Sequence, residues 1–141
     1  MSVGVLVVTH DRIGDELLAT VSGIMGSRPL PSAALSVTTA IDLGELVERG
    51  REHLAALDQG HGVLILTDAF GSTPSNVAVR LGAYAGTGVV SGVNLPMLLR
   101  VMNYPELTLD ALYERAYTGG RDGVIQVDPP SNSQSDSAYG R

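Results

Sequence analysis

The sequence predicts an α/β domain with a doubly wound, mostly parallel sheet of strand order 2-1-3-4 and helices on both faces. Short runs rich in valine and leucine alternate along the chain with segments whose apolar residues recur at helical spacing. This alternation is typical of βαβ units, whose right-handed crossovers bury a parallel sheet between two helical layers. The 141 residues are enough for one domain with a core of its own.

The first half of the chain contains two predicted strand–helix pairs. Val3–Val8 is a nearly continuous apolar run, which favours a strand buried on both faces. The helix after it ends at Gly26, and its apolar side consists of Ile13, Leu17, Val21, Ile24 and Met25. Ala34–Val37 is the second predicted strand. Asp42 and Glu45 have the spacing of a capping box, which predicts that the second helix begins there.

The next two pairs follow the same rule. Val63–Leu66 is the third apolar run. After a polar turn, Thr73 is the predicted N-cap of a helix and Pro74 its first residue, a position that proline favours. Gly88–Val93 is the fourth predicted strand, and a short helix over Pro96–Met102 follows it.

The C-terminal part of the domain contains one more helix and one more strand. Thr108 is the predicted cap of the helix, and the pair Gly119-Gly120 is its predicted end. Val124–Val127 has the pattern of a short edge strand. The composition then becomes rich in Pro, Ser, Asn and Gln, so the predicted domain covers residues 1–128 and residues 129–141 form a disordered polar tail.

Composition restricts the partners and the compartment. The formal net charge is −6, which argues against nucleic acid and suits a basic protein partner. The chain has no cysteine, which excludes thiol catalysis and fits a reducing compartment. No apolar run is long enough to span a membrane, and the N-terminal segment lacks the basic region of a signal peptide, so we expect a cytoplasmic protein without membrane insertion.

The predicted topology brings two chemically active side chains together. His10 follows strand 1 and Asp68 follows strand 3, and in the order 2-1-3-4 the ligand crevice lies beyond the carboxyl ends of these two strands. An imidazole is a good nucleophile near neutral pH. A carboxylate on one ring nitrogen, Nδ1 in our interpretation, would fix the tautomer and leave the lone pair of Nε2 free.

The loop after Asp68 predicts a seat for an anion. Gly71, Ser72 and Thr73 lead into a helix, whose N-terminal amide groups and dipole favour negative charge. A nucleophilic histidine, a carboxylate that orients it and an anion seat together indicate a site that carries a phosphoryl group on His10. Each residue alone also has a plain structural interpretation, as a strand end, a turn or a helix start.

Other chemistries find little support in the sequence. The only histidines that could join His10 at a metal are His53 and His61, which we expect on the surface, and we predict neither a metal nor a cofactor. Gly86-Thr87-Gly88 looks like part of a dinucleotide motif but precedes a strand instead of following one. The phosphate-binding Gly-Lys-Ser/Thr motif and the Gly-x-Ser-x-Gly elbow of serine hydrolases are both absent from the sequence.

Four segments of the chain form a recognisable combination: VGVLVVTHDRIGDELL (3–18), GVLILTDAFGSTPSNVAVRL (62–81), GVNLPMLLRV (92–101) and TGGRDGV (118–124). The first contains a THxxxG-like motif and the second a TDxxGxTPxN-like motif. Through these segments the chain resembles the mannose-type (mannose, fructose and sorbose) enzyme IIA component of the bacterial phosphotransferase system, and the likeness extends over residues 1–127.

The resemblance implies a histidine phosphotransferase. His10 would accept the phosphoryl group from the carrier protein HPr, Asp68 would hold the histidine, and the hydroxyl of Thr73 would lie near the phosphoryl group, with the amides of Gly71 and Ser72 close by. A IIB domain would be the acceptor, in the service of sugar uptake. The family is homodimeric and exchanges an edge strand between subunits, for which Val124–Val127 is the candidate in this chain.

Three further interpretations stay open at this point. The loop departs from many relatives, which have a second glycine and an aromatic residue where this chain has Ser72 and Ser75. The rim that a partner touches is therefore different, and the chain could serve as a phosphorylation-state regulator or as the phosphoryl donor of a dihydroxyacetone kinase. The crevice could also bind an anion without transferring it, in which case no phosphohistidine would form.

Overall fold

Strands and helices alternate along residues 2–130, which are the part of the chain that the computed structural model describes. Residues 131–141, most of the predicted tail, lie outside the described residues. The elements are β1 (Gly4–His10), α1 (Ile13–Met25), β2 (Ser32–Val37), α2 (Leu43–Leu57), β3 (Val63–Thr67), α3 (Thr73–Leu81), β4 (Thr87–Ser91), α4 (Leu95–Met102) and α5 (Leu109–Asp122). None of the helices formed by these residues is sufficiently long and apolar to cross a lipid bilayer.

The sheet has the predicted order β2-β1-β3-β4, and all three neighbouring pairs are parallel. β1 lies at the centre, with His10 opposite Val37 of β2 and Val8 opposite Thr67 of β3. The chain order reverses between β1 and β3, so the carboxyl ends of these two strands border the crevice at the switch point. The prediction of a doubly wound α/β fold is confirmed.

Two helical layers bury the sheet because the side chains of β1 alternate between its faces. Val5 and Val7 belong to one core with α1, α4 and α5, and Leu6 and Val8 belong to the other with α2 and α3. The first core includes Leu18, Val21, Leu98, Val101 and Leu112. The second includes Leu46, Leu54, Val77 and Leu81. All of these side chains are at least nine-tenths buried. Their close packing holds the strand ends that border the crevice in place.

Side-chain caps fix the starts of α2, α4 and α5, whereas α1 and α3 begin without a side-chain cap hydrogen bond. Asp42 accepts a hydrogen bond from the backbone N–H of Glu45 at 3.0 Å, and Thr108 accepts one from Ala111 at 3.3 Å, both as predicted. The N-cap of α3 is Ser72 and not Thr73, because the helix begins one residue earlier than the sequence pattern indicated. Asn94, which the sequence analysis did not single out, caps α4 through the backbone N–H of Met97 at 2.9 Å.

The C-terminal region differs from the prediction. The pair Gly119-Gly120 does not end α5, which continues to Asp122, because the two glycines are the points where α5 packs closely on α4. The predicted strand Val124–Val127 was also wrong for the single chain. These residues form no strand and pair with none of the four strands of the described chain. Exchange of this segment between subunits is therefore not confirmed.

Candidate functional site

The crevice at the carboxyl ends of β1 and β3 contains the two residues that the topology selected. His10 is the last residue of β1, and Asp68 directly follows Thr67, the last residue of β3. β1 and β3 are neighbours in the sheet, so the two side chains meet across one strand spacing. The sequence prediction that they would face each other is borne out by this geometry.

Asp68 holds His10 at two points. One carboxylate oxygen, Oδ2, lies 2.7 Å from the ring Nδ1 of His10 and accepts a hydrogen bond from its backbone N–H at 2.8 Å. The other oxygen, Oδ1, accepts a hydrogen bond from the N–H of Ala69 at 2.9 Å. With an ionised carboxylate as acceptor, Nδ1 carries the ring proton and Nε2 has its lone pair free. The imidazole is thus fixed in both orientation and tautomer.

The charge of Asp68 is maintained by these hydrogen bonds. Partial burial favours the neutral carboxyl and raises its pKa, but the hydrogen bonds from the backbone and ring of His10 and from Ala69 outweigh burial. The net pKa of Asp68 is below its ordinary value, so the group is fully ionised at neutral pH. The aspartate is therefore a permanent acceptor for the histidine.

The ring of His10 is open to the outside, whereas its partner is not. The side chain of His10 is 48% exposed and that of Asp68 only 12%. His10 forms one wall of an open cavity of about 560 Å³ at the crevice, a size typical of ligand sites. The cavity is lined by His10, Asp11, Val37, Thr38, Thr39, Ile41 and Thr73. A nucleophilic nitrogen on this wall is accessible to a reactant from a partner molecule.

The three predicted anion-binding residues do not share one position. Thr73 lines the cavity with His10, whereas Gly71 and Ser72 are not on its wall. The N–H of Gly71 donates to Ser75 Oγ at 3.1 Å, and the N–H of Ser72 donates to the carbonyl of Ala69 at 3.2 Å. Both amides are thus engaged within the loop. Thr73 therefore lies on the cavity wall with His10, whereas Gly71 and Ser72 form hydrogen bonds within the turn.

The first turn of α3 contains backbone N–H donors that, unlike those of Gly71 and Ser72, are not engaged within the loop. The backbone N–H groups of Thr73 and Ser75 make no hydrogen bond to residues 2–130, and Pro74 between them has no N–H. Unpaired amides at a helix start, together with the helix dipole, favour an anion. An anion at this crevice would therefore meet Thr73 and the start of α3 rather than the amides of Gly71 and Ser72.

The structure gives two residues next to His10 roles that the sequence pattern did not predict. Thr9 is buried, and its Oγ1 accepts a hydrogen bond from the N–H of Gly14 at 2.7 Å, which ties the end of β1 to the start of α1. A Cβ at Gly14 would lie 3.1 Å from the same oxygen, which explains the threonine and the glycine of the THxxxG-like motif. Asp11, next to His10, adopts a positive φ of 43°. A left-handed aspartate leaves no signal in a single sequence.

Among residues 2–130, no three His, Asp or Glu side chains are grouped as a metal site requires. His61 is exposed and lines a cavity with Ser2 and Val3, which precede β1. It therefore lies at the amino ends of the strands, whereas His10 lies at their carboxyl ends. The chemically active groups at the crevice are the ring of His10 and the carboxylate of Asp68, next to Thr73 at the start of α3.

Comparison with known proteins agrees with this architecture. Residues 4–117 match the model of the EIIA-man family, described as "PTS system fructose IIA component". The PTS system mannose-specific EIIAB component of Escherichia coli (strain K12) is 29% identical over 127 residues, which are 88% of this chain and 39% of that protein. The chain thus spans about two fifths of the length of this curated relative.

A solved structure and a second curated protein are also similar to this chain. The mannose/sorbose specific IIA subunit of the phosphotransferase system from Enterococcus faecalis has a TM-score of 0.82 and 27% identity, with 93% of this chain and 98% of that chain covered. The transcriptional regulatory protein LevR of Bacillus subtilis (strain 168) is 29% identical over 118 residues, 79% of this chain but only 12% of that protein. Because the family model covers most of the chain and the fold agrees with a solved IIA subunit, the chain belongs to the mannose-type family of PTS IIA components.

Proposed function

We propose that this protein is a histidine phosphocarrier that accepts a phosphoryl group from phospho-HPr on Nε2 of His10. The observation that carries the proposal is the contact of 2.7 Å between His10 Nδ1 and Asp68 Oδ2, on a ring that is 48% exposed. A buried or unheld histidine would not combine a fixed tautomer with access for a second protein. Membership of the IIA family supports the same role.

The transfer is an in-line displacement between two imidazoles. The lone pair of Nε2 attacks phosphorus while the N–P bond of the phosphohistidine on HPr breaks, and its electron pair returns to the ring of HPr. The proton on Nδ1 stays in the hydrogen bond to Asp68, whose negative charge stabilises the positive charge that the ring of His10 gains. The protein contributes position and electrostatics, which dominate catalysis of phosphoryl transfer.

The phosphoryl oxygens would rest on the start of α3. Thr73 lines the cavity, and the backbone N–H groups of Thr73 and Ser75, which have no hydrogen-bond partner among residues 2–130, support this interpretation. A contribution from the amides of Gly71 and Ser72 would require the loop to give up its present hydrogen bonds. Their direct contact with the phosphoryl group stays a prediction.

A IIB domain of the same transport system is the proposed acceptor, with sugar uptake as the outcome. The match to the mannose-specific EIIAB component, whose name joins a IIA to a IIB component, supports this acceptor. The match to the regulator LevR favours a second candidate, in which the phosphorylation state of His10 is itself the signal. Transfer to purified IIB distinguishes the two, because a sensor would keep its phosphoryl group.

We also propose that the protein is a homodimer joined through its C-terminal segment. Val124, Ile125 and Val127 are between 71% and 78% exposed, an unusual cost for three apolar side chains in four residues. β4 is an edge strand with unpaired backbone groups on its outer side. Pairing of this segment with β4 of a second copy would satisfy both features.

Phosphorylation with labelled phospho-HPr tests the function directly. Wild type and His61→Ala, a control that removes an exposed histidine at the amino ends of the strands, should both take up acid-labile label. His10→Ala should take up none while keeping the circular dichroism of the wild type. Equal labelling of His10→Ala would refute the assignment, and an unlabelled wild type that still binds inorganic phosphate would favour an anion-binding regulator.

A further inference from the structure

The residue after the nucleophile is an unpaired acid held in an unusual backbone conformation. Asp11 has φ of +43° and is the one non-glycine residue with a positive φ among residues 2–130. Its N–H donates to the carbonyl of Val37 at 3.0 Å, so the turn that follows β1 keeps it there. Glycine occupies such positions without steric cost, and Asn and Asp are the side chains that tolerate them best.

Asp11 lies on the wall of the proposed phosphoryl site. Asp11 is exposed and lines the same cavity as His10 and Thr73. Within the described chain its carboxylate accepts no hydrogen bond and forms no ion pair, in contrast to Asp68, which accepts three hydrogen bonds. A negative charge without a partner therefore stands on the wall of the cavity into which a dianionic phosphoryl group must come.

We propose that Asp11 is a tuning residue whose charge lowers the equilibrium constant for phosphorylation of His10. The phosphohistidine therefore transfers its phosphoryl group to the acceptor more readily. The inference rests on the proposed function. In the transfer one N–P bond replaces another, so the equilibrium is nearly balanced and responds to the surroundings of each phosphoryl group. A phosphoryl group brings close to two negative charges near neutral pH, and a carboxylate on the same cavity wall disfavours that state.

The charge and the backbone conformation can be separated experimentally. Asp11→Asn keeps a side chain that tolerates the left-handed conformation and removes only the charge. Asp11→Gly removes the charge and the steric cost together. Glu52→Gln is the matched control, because it removes one exposed carboxylate from the C-terminal half of α2, away from the crevice. All four proteins are equilibrated with phospho-HPr, and the distribution of label gives the equilibrium constant for phosphorylation of His10.

Asp11→Asn should raise the equilibrium constant about fivefold at low salt, with a similar rise for Asp11→Gly and none for Glu52→Gln. The rise should shrink in about 1 M salt, where the Debye length falls to roughly 3 Å. An Asp11→Asn constant equal to wild type, or a rise found only in Asp11→Gly, would overturn the charge argument. If phospho-HPr labels neither wild type nor Glu52→Gln, the proposed function itself fails and the inference falls with it.

Discussion

Asp68 shows how one side chain can decide both the geometry and the charge of a site. Its two oxygens accept three hydrogen bonds, two of them from His10 and one from its neighbour Ala69. The bond from the backbone of His10 fixes the end of β1, and the bond from the ring fixes the imidazole. Loss of the carboxylate should therefore damage reactivity more than the fold.

Asp68→Asn should reduce the rate of phosphorylation of His10 by about ten- to a hundredfold, because the amide no longer stabilises the charge that the ring gains. The free energy of unfolding should fall by only about 1 kcal/mol, since the amide oxygen still accepts a hydrogen bond from the backbone. Rapid-quench kinetics with phospho-HPr and urea unfolding measure the two quantities. An unchanged rate would leave Asp68 with a purely structural role.

The same variant has a defined pH dependence of stability. The pKa of Asp68 is lower in the folded protein than its ordinary value of 3.8, so the ionised carboxylate contributes stability above pH 3.8. This contribution is lost as the pH falls through the lowered folded value, where the folded state also takes up the proton. The difference in free energy of unfolding between wild type and Asp68→Asn should be constant near neutral pH and shrink below about pH 4. A difference that is flat down to pH 2 would contradict the role of its charge.

At the scale of single residues, the sequence predicted the site as far as strand ends determine it. His10 and Asp68 could be paired because parallel neighbouring strands end at one edge of a sheet. The hydrogen bonds of Gly71 and Ser72 could not be predicted, since they depend on the exact course of the loop and on the hydroxyl of Ser75. The positive φ of Asp11 was equally hidden, because aspartate is common in ordinary turns as well.

At the scale of elements, glycine has two different roles in the helices of this chain. It ends one helix and allows close packing inside another. Gly26 ends α1 in the left-handed conformation with φ of 77°, as the pattern predicted. Gly119, in contrast, lies inside α5, where a Cβ would stand 2.7 Å from the Cβ of Arg100 on α4. A sequence shows where glycine occurs. It does not show whether a side chain at that position would collide with a neighbouring helix. That contact exists only once α4 and α5 are packed.

Gly119→Ala and Gly23→Ala should therefore have opposite effects on stability. Alanine favours a helix over glycine by up to about 1 kcal/mol, and at Gly23 in α1 nothing lies within 4 Å of the added Cβ, so Gly23→Ala should stabilise by about 0.5–1 kcal/mol. At Gly119 the added methyl meets the stem of Arg100, and overpacking of roughly 1–3 kcal/mol should exceed the helix gain. Urea unfolding of both variants measures this. Stabilisation by Gly119→Ala would show that α4 and α5 separate easily.

At the scale of the whole molecule, the alternation of apolar runs determined the fold because each buried strand needs a helical cover on both faces. β1 and β3 are completely covered, and their order in the sheet followed from the rules for crossovers. No such rule determines, within one chain, what pairs with the edge strands of the sheet. Val124–Val127 has the pattern of a strand, yet within one chain none of the four described strands is its partner strand.

Two truncations test whether a second copy supplies that strand. A chain that ends after Asp128 keeps Val124–Val127 and should stay dimeric and fully active in transfer. A chain that ends after Gly123 keeps α5 and its C-cap but loses the exposed apolar segment, so it should be monomeric. Sedimentation equilibrium over a range of concentrations gives the molecular mass of each, and circular dichroism controls for the fold. Equal masses for the two truncations would contradict the proposed exchange, because the outer edge of β4 would then be the same with and without the segment.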